Sequence, residues 1–258
     1  MERTGMTTFN IAFSPTGGTK KVSDMMADGL GGASTFVDLT DRNTDFGSVS
    51  LSRRDVAVIA VPSFGGRVPA IARERISEIA GNGAPAVVVC VYGNRDYEDT
   101  LRELADTAKA SGFRVVAAVA AVAEHSIARQ YASGRPDGHD RQNIYAFASK
   151  IADKLADEDL SMPDIPGNSP YRKYMESGPV PKPTARCTGC GICAHGCPVG
   201  AIDAGDPAKV DEGHCIHCMR CVSVCPIDAR RIGPLMRSMV GLALRRSCSQ
   251  RKDNELFI

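Results

Sequence analysis

The sequence predicts an α/β protein, a doubly wound parallel sheet of five strands followed by a small α+β module rich in cysteine. Three observations predict it. Short, almost wholly apolar runs alternate with amphipathic segments through residues 1–158, as expected of strands buried on both faces by helices. A proline-rich stretch then interrupts every periodicity. Beyond it, eight of the ten cysteines crowd between Cys187 and Cys225, too regularly for a scattered disulfide framework and as metal ligation requires.

The expected strands are Thr8 to Phe13, Thr35 to Leu39, Val56 to Val61, Ala86 to Tyr92 and Val115 to Val122. Lys20 to Gly29, Ala70 to Ala80, Asp99 to Ser111 and Arg141 to Leu155 read as helices. In the third of these, Leu101, Leu104, Ala105 and Ala108 form one apolar stripe. Residues 159–183 hold six prolines between Met162 and Thr184, which discourages helix and strand alike. This segment reads as a semi-rigid linker or as an arm wrapped over the first domain, and we favour the arm because Tyr171 and Tyr174 give it something to bury. The cysteine module spans 184–234. Residues 235–258 form a basic amphipathic tail, with Leu235, Met239, Val240 and Leu242 near helical spacing among Arg237, Arg245, Arg246, Arg251 and Lys252. That helix either packs on its own chain or docks an acidic redox partner or a membrane surface.

A length of 258 residues accommodates one medium and one small domain, and a hydrophobic fraction of 43% supplies a core. The net charge of +1 gives no general attraction to nucleic acid, and no nucleic-acid partner is expected. The longest apolar run, Val115 to Ala123, falls short of the roughly 20 residues of a membrane helix, so no transmembrane segment is expected. The opening stretch MERTGMTTFNIAFSPTGG lacks the apolar core of a signal peptide, so the expected location is the cytoplasm.

The cysteine module is an internal repeat. Cys187, Cys190, Cys193 and Cys197-Pro198 recur 28 residues later as Cys215, Cys218, Cys221 and Cys225-Pro226, and the flanks PVGAI and PIDARRI also correspond. A cubane 4Fe-4S cluster needs four converging thiolates. A Cys-x-x-Cys-x-x-Cys loop supplies three, and in the run closed by Cys-Pro the fourth serves the other cluster. This assigns Cys187, Cys190, Cys193 and Cys225 to cluster one, and Cys215, Cys218, Cys221 and Cys197 to cluster two. Gly189, Gly191 and Gly196 let the first loop approach its cluster closely. The competing reading is a pair of zinc sites, which would need four ligands in two pairs rather than two equal runs of four. The module resembles the bacterial two-cluster ferredoxins over about 50 residues, with every ligand present. Cys90 reads as a small core residue, and Cys248, in a polar tail, as an exposed thiol. His195, His214 and His217, beside the cluster loops, read either as loop residues or as groups that tune potential or carry a proton.

After the first strand stands Ser14-Pro15-Thr16-Gly17-Gly18-Thr19-Lys20, leading straight into a helix. Strand, Ser/Thr/Gly loop and helix N-terminus make a phosphate cradle, the alternative being an ordinary capped helix. The loop matches neither a Walker loop nor a dinucleotide fingerprint. In a doubly wound sheet, ligands sit at the carboxyl ends of the strands beside the switch point. The other loops there read Pro62-Ser63-Phe64-Gly65-Gly66-Arg67-Val68-Pro69 and Tyr92-Gly93-Asn94-Arg95-Asp96-Tyr97. Phe64, Tyr92 and Tyr97 are either flavin-facing aromatics or loop packing.

The first loop resembles the flavodoxin Ser/Thr-x-Thr-Gly-x-Thr motif at Ser14, Thr16, Gly17, Gly18 and Thr19, with Gly18 where an asparagine is often found. With both halves in view, the chain resembles a family of fused proteins of anaerobes in which a flavodoxin-like domain precedes a two-cluster ferredoxin domain. The resemblance extends to Glu124-His125-Ser126 and Arg135-Pro136-Asp137. It implies FMN and two 4Fe-4S clusters, with FMN at Ser14, Thr16, Gly17, Gly18, Thr19, Pro62, Ser63, Phe64, Gly65, Gly66, Tyr92, Gly93, Asn94 and Tyr97.

The expected function is electron transfer between clusters and FMN, converting between one-electron and two-electron partners. The expected partner is a redox protein donor or acceptor. A flavin-dependent reductase acting on a small-molecule acceptor is the alternative, and a sensor or binding module with structural clusters is the third reading. No nucleophile, base or triad is evident. Arg67, Arg95 and His125 read either as contacts to FMN or an anionic substrate, or as solvated loop residues.

Overall fold

The computed structural model describes residues 7–174 and 178–258; residues 1–6, part of the stretch read for a signal peptide, and 175–177 of the arm lie outside the described residues. Strands β1 (Thr7–Ala12), β2 (Ala33–Asp38), β3 (Val56–Pro62), β4 (Pro85–Tyr92) and β5 (Arg114–Val122) run parallel in the order β2-β1-β3-β4-β5. This is the flavodoxin-like doubly wound order, with its switch point between β1 and β3. Side chains alternate between two cores as the period of two requires. Ala57, Ile59 and Val61 face one, and Val56, Val58 and Ala60 face the other.

The crossover helices are α1 (Gly18–Leu30), α2 (Ala70–Glu78), α3 (Thr100–Ala110) and α4 (Gly138–Ala156). The first and last cover one face through Val22, Met26, Ile144 and Ile151. The middle two cover the other through Ala72, Ile76, Leu101 and Leu104. Helix α4 begins three residues before the expected Arg141 because Asp137 caps it, accepting from the His139 and Asp140 amides while Asp140 reciprocates. Helix α2 stops two residues before Ala80, since Ala80 leaves the helix to exchange backbone hydrogen bonds with Val49 and Leu51.

Residues of the proline-rich segment contact the first domain. Tyr171 lies over the Arg67 guanidinium at 5.0 Å and donates its hydroxyl to Asp106 at 2.6 Å, while Asp99 accepts from the amides of Asn168 and Arg172. In the cysteine module, β6 (Lys182–Pro183) pairs antiparallel with β7 (Arg230–Arg231). Its one-turn helices α5 (Ile192–His195) and α6 (Arg220–Ser223) occupy equivalent places in the repeat. Backbone geometry repeats as well. Gly189, Gly191 and Gly200 are left-handed, and so are His217, Met219 and Asp228, each 28 residues further on.

One expectation for the tail is corrected. Helix α7 (Pro234–Cys248) buries only Gly241 and Cys248, so Cys248 is not exposed but almost fully covered, beneath Gly93 and Ser247. The outer face of α7 leaves Leu235, Met239 and Leu242 exposed rather than packed. After α7 the chain returns to the sheet as β8 (Glu255–Phe257), antiparallel to β5 with Ala118 opposite Phe257. The sheet therefore has a sixth strand that the parallel-strand pattern did not announce. Three residues are too few to show a period.

Candidate cofactor sites

Two cavities in the cysteine module each gather four cysteines crosswise from the two runs. One is lined by Cys187, Cys190, Cys193 and Cys225, the other by Cys197, Cys215, Cys218 and Cys221. In each, the Cys-x-x-Cys-x-x-Cys loop and its one-turn helix supply three sulfurs, and the turn at Cys-Pro of the other run supplies the fourth. Ala229 directs its amide at the Cys225 sulfur, 3.2 Å away. The sulfurs ring a cavity, and among the described residues no three His, Cys, Asp or Glu side chains converge on a single-ion site. Burial pushes the Cys218 thiol up to about 12 and the Cys221 thiol up to about 11. Thiolates at such positions need metal cations beside them, so the donor set fits a cluster of iron and sulfide.

The third site is a groove at the carboxyl ends of the strands. Thr16, Gly18 and Thr19 form one end, Pro62, Ser63 and Phe64 one wall, and Tyr92, Gly93 and His125 the other. Gly17, in a left-handed conformation with φ 88°, turns the chain into α1, whose first-turn amides have no partner within the helix. Gly93 is a glycine because a Cβ there would stand 2.7 Å from the His125 ring and 2.9 Å from its Cα. His125 Nδ1 accepts from the Ile127 and Ala128 amides at 3.1 and 3.2 Å, which puts the imidazole proton on Nε2. Burial, with Arg95 nearby, pulls its pKa down to about 4, so the ring is neutral at pH 7.

The groove widens into a cleft of about 990 Å³ that shares Ser63, Phe64, Gly93 and His125 with it, and Met236, Val240 and Leu244 of α7 form its far side. Gly65 joins the structure here rather than in the groove.

Several residues expected at a flavin lie elsewhere. The Ser14 hydroxyl accepts from the Lys20 amide at 2.8 Å and so caps α1, and Ser14 does not line the groove. Gly66 makes room for Glu98 and Arg172. Asn94 is buried by the tail, donating to the Cys248 and Gln250 carbonyls and accepting from the Lys252 amide. Tyr97 packs at 5.3 Å against Tyr92 and donates to Glu255. Arg67 is neither solvated nor a groove residue; it forks onto buried Glu103 at 2.7 and 2.8 Å. Arg95 pairs with Glu98. Cys90 is a buried strand residue, as read.

The two modules meet at this groove. Cys218 lines both the second cysteine cavity and the groove. Arg220 donates to the Pro15 carbonyl, and Arg75, buried at 6% exposure, donates to the carbonyls of Leu39 at 2.6 Å and Pro198 at 2.7 Å. Neither arginine stood out in the sequence, since nothing local marks a helical arginine that will be buried by a distant module.

The family model described as a 4Fe-4S dicluster domain matches residues 186–232. Ferredoxin-2 of Chlorobaculum tepidum is 46% identical over 52 residues, covering 17% of this chain and 84% of that protein. Ferredoxin-3 of the same organism is 43% identical over 54 residues, covering 18% and 87%. Among solved structures, a flavodoxin of Streptococcus pneumoniae TIGR4 aligns with a TM-score of 0.42 and 18% identity, over 58% of this chain and 99% of its own. A flavodoxin from the domain Archaea aligns with a TM-score of 0.41 and 13% identity, over 58% and 99%. With the crosswise cysteine cavities and the two ferredoxin relatives together, the chain belongs, through residues 186–232, to the 4Fe-4S dicluster ferredoxin family, here joined behind a doubly wound domain whose strand order is β2-β1-β3-β4-β5.

Proposed function

We propose that the protein transfers electrons between two 4Fe-4S clusters, one in each cysteine cavity, and FMN held in the groove. One observation carries this reading: Cys218 belongs to the second cavity and to the groove wall at once. A flavin exchanges one or two electrons and an iron-sulfur cluster one, so the pair converts between one-electron and two-electron partners.

The groove fits a phosphate-bearing ring. Thr16 and Thr19 offer hydroxyls, and the first turn of α1 offers amides and the positive end of its dipole. A Cβ at Gly18 would come 3.2 Å from Ala123 and narrow that end. Phe64 and Tyr92 wall the ring, and His125 presents a neutral Nε2–H donor. The Arg75 and Arg220 bridges hold the cysteine module against this groove, which fixes the distance an electron crosses. The partners are redox proteins, as for ferredoxins generally.

A second reading, reduction of a small-molecule acceptor at the flavin, is favoured by the cleft under α7. Its volume lies at the upper end of the range usual for ligand sites. Anaerobic purification followed by iron, sulfide and flavin quantitation tests the main reading, with about eight irons and about one FMN per chain expected. Zinc in place of iron, or no flavin, overturns it. Steady-state turnover with small acceptors, set against reduction by ferredoxin-type donors, separates the two readings.

A further inference from the structure

Arg230 breaks the internal repeat. It stands 28 residues after Ile202, each being the residue that follows Cys-Pro-x-x-Ala in its run. Both are buried, at 3% and 6% exposure. The fold therefore takes an apolar side chain at this position in one half and carries a permanent cation in the other.

That cation lies between the two cysteine cavities and lines both. Its Nη1 donates to the Pro207 carbonyl at 2.7 Å and approaches the Cys193 sulfur at 3.5 Å. Nε and Nη2 are buried with no well-aligned acceptor among the described residues. A buried guanidinium with two nitrogens, and so three N–H bonds, lacking an aligned acceptor is costly unless acceptors of negative charge face it. The groups the cavities would hold are such acceptors. A 4Fe-4S cluster with four thiolates carries net negative charge, its sulfurs accept hydrogen bonds, and hydrogen bonding and charge around them set its potential.

We infer that Arg230 is a positioning residue shared by the two clusters, directing its free N–H groups at their sulfurs and raising the reduction potential of both. Each reduction adds one electron, and so one negative charge, to a cluster; a fixed cation between them favours the reduced form of each. The inference rests on the two-cluster reading proposed above.

The test is Arg230→Ile, which copies the side chain of the first repeat, with Arg230→Lys beside it, both as anaerobically purified full-length protein. The readout is EPR-monitored redox titration, with iron and sulfide counted on every sample. In the isoleucine variant each cluster is expected to lose at least tenfold in its reduced-to-oxidised ratio at a given potential, a downward shift of at least 59 mV for a one-electron couple. The lysine variant keeps the charge but not the fork and is expected to shift by less. Unchanged potentials in an isoleucine variant with full iron content overturn the inference. Should that variant lose its clusters, the lysine variant decides, and a potential equal to wild type overturns it. Wild-type protein lacking two clusters overturns the earlier reading instead, and the iron count reveals which has failed.

Discussion

Arg220 of the second cluster helix donates to the carbonyl of Pro15 in the first β-α loop, at 3.3 Å. One guanidinium thus joins the one-turn helix that carries Cys221 to the loop between β1 and α1. Charged hydrogen bonds of this kind contribute about 1.5–3 kcal/mol. Arg220→Ala is expected to raise amide exchange in residues 16–19 by about 10- to 100-fold. Hydrogen-exchange mass spectrometry reads this directly, and exchange equal to wild type would show that the bridge does not order the loop.

Gly93→Ala places a methyl group against the ring and Cα of His125, and the Cα cannot move without its strand-end loop. The variant is expected to lose about 1–3 kcal/mol of stability from overpacking. It should also retain less flavin on gel filtration, measured as the flavin-to-protein absorbance ratio. A wild-type ratio would remove Gly93 from the groove.

His125 gives the fold a pH dependence of known sign. Its pKa falls from an ordinary value near 6.5 to about 4 on folding, chiefly through burial. Between those values the unfolded chain binds more protons than the folded one, so stability is complete above pH 6.5 and declines as pH drops toward 4. The loss from pH 7.5 to pH 5 is on the order of 2 kcal/mol. Denaturant titrations of wild type and His125→Gln across that range should differ in slope, with the glutamine variant flatter. Parallel curves would mean that the ring protonates freely.

Asn254 ties the tail to the sheet by accepting from the Val122 amide at 2.9 Å and donating to Asp140 at 3.1 Å. Asp140 is itself held by the buried Arg135 guanidinium. Asn254→Ala strands the last amide of β5, and a loss of about 1–3 kcal/mol is expected, read as a lower denaturation midpoint.

The sequence carried the frame of this molecule because its signals are local. Buried parallel strands are apolar throughout, and cluster ligands keep fixed spacing. What lay hidden was contact between distant segments. Ser14 is a plausible phosphate hydroxyl until Lys20 is seen to use it, and Asn94 and Tyr97 sit in the right loop but turn toward a tail more than 150 residues away. Cys248 looked exposed because its neighbours are polar, yet the Gly93 loop covers it. Arg230 went unremarked as well, because the flanks PVGAI and PIDARRI read as equivalent until its burial beside both cysteine cavities is seen.

Because β8 closes the sheet from beyond the cysteine module, the first domain cannot finish its edge while the chain is still being synthesised through residue 254. During translation, Val119 and its neighbours on β5 wait unpaired until the iron-binding segment has emerged. The edge of the first domain is thus supplied from beyond the cysteine module, and cutting the chain at the arm would part β5 from the strand that covers it.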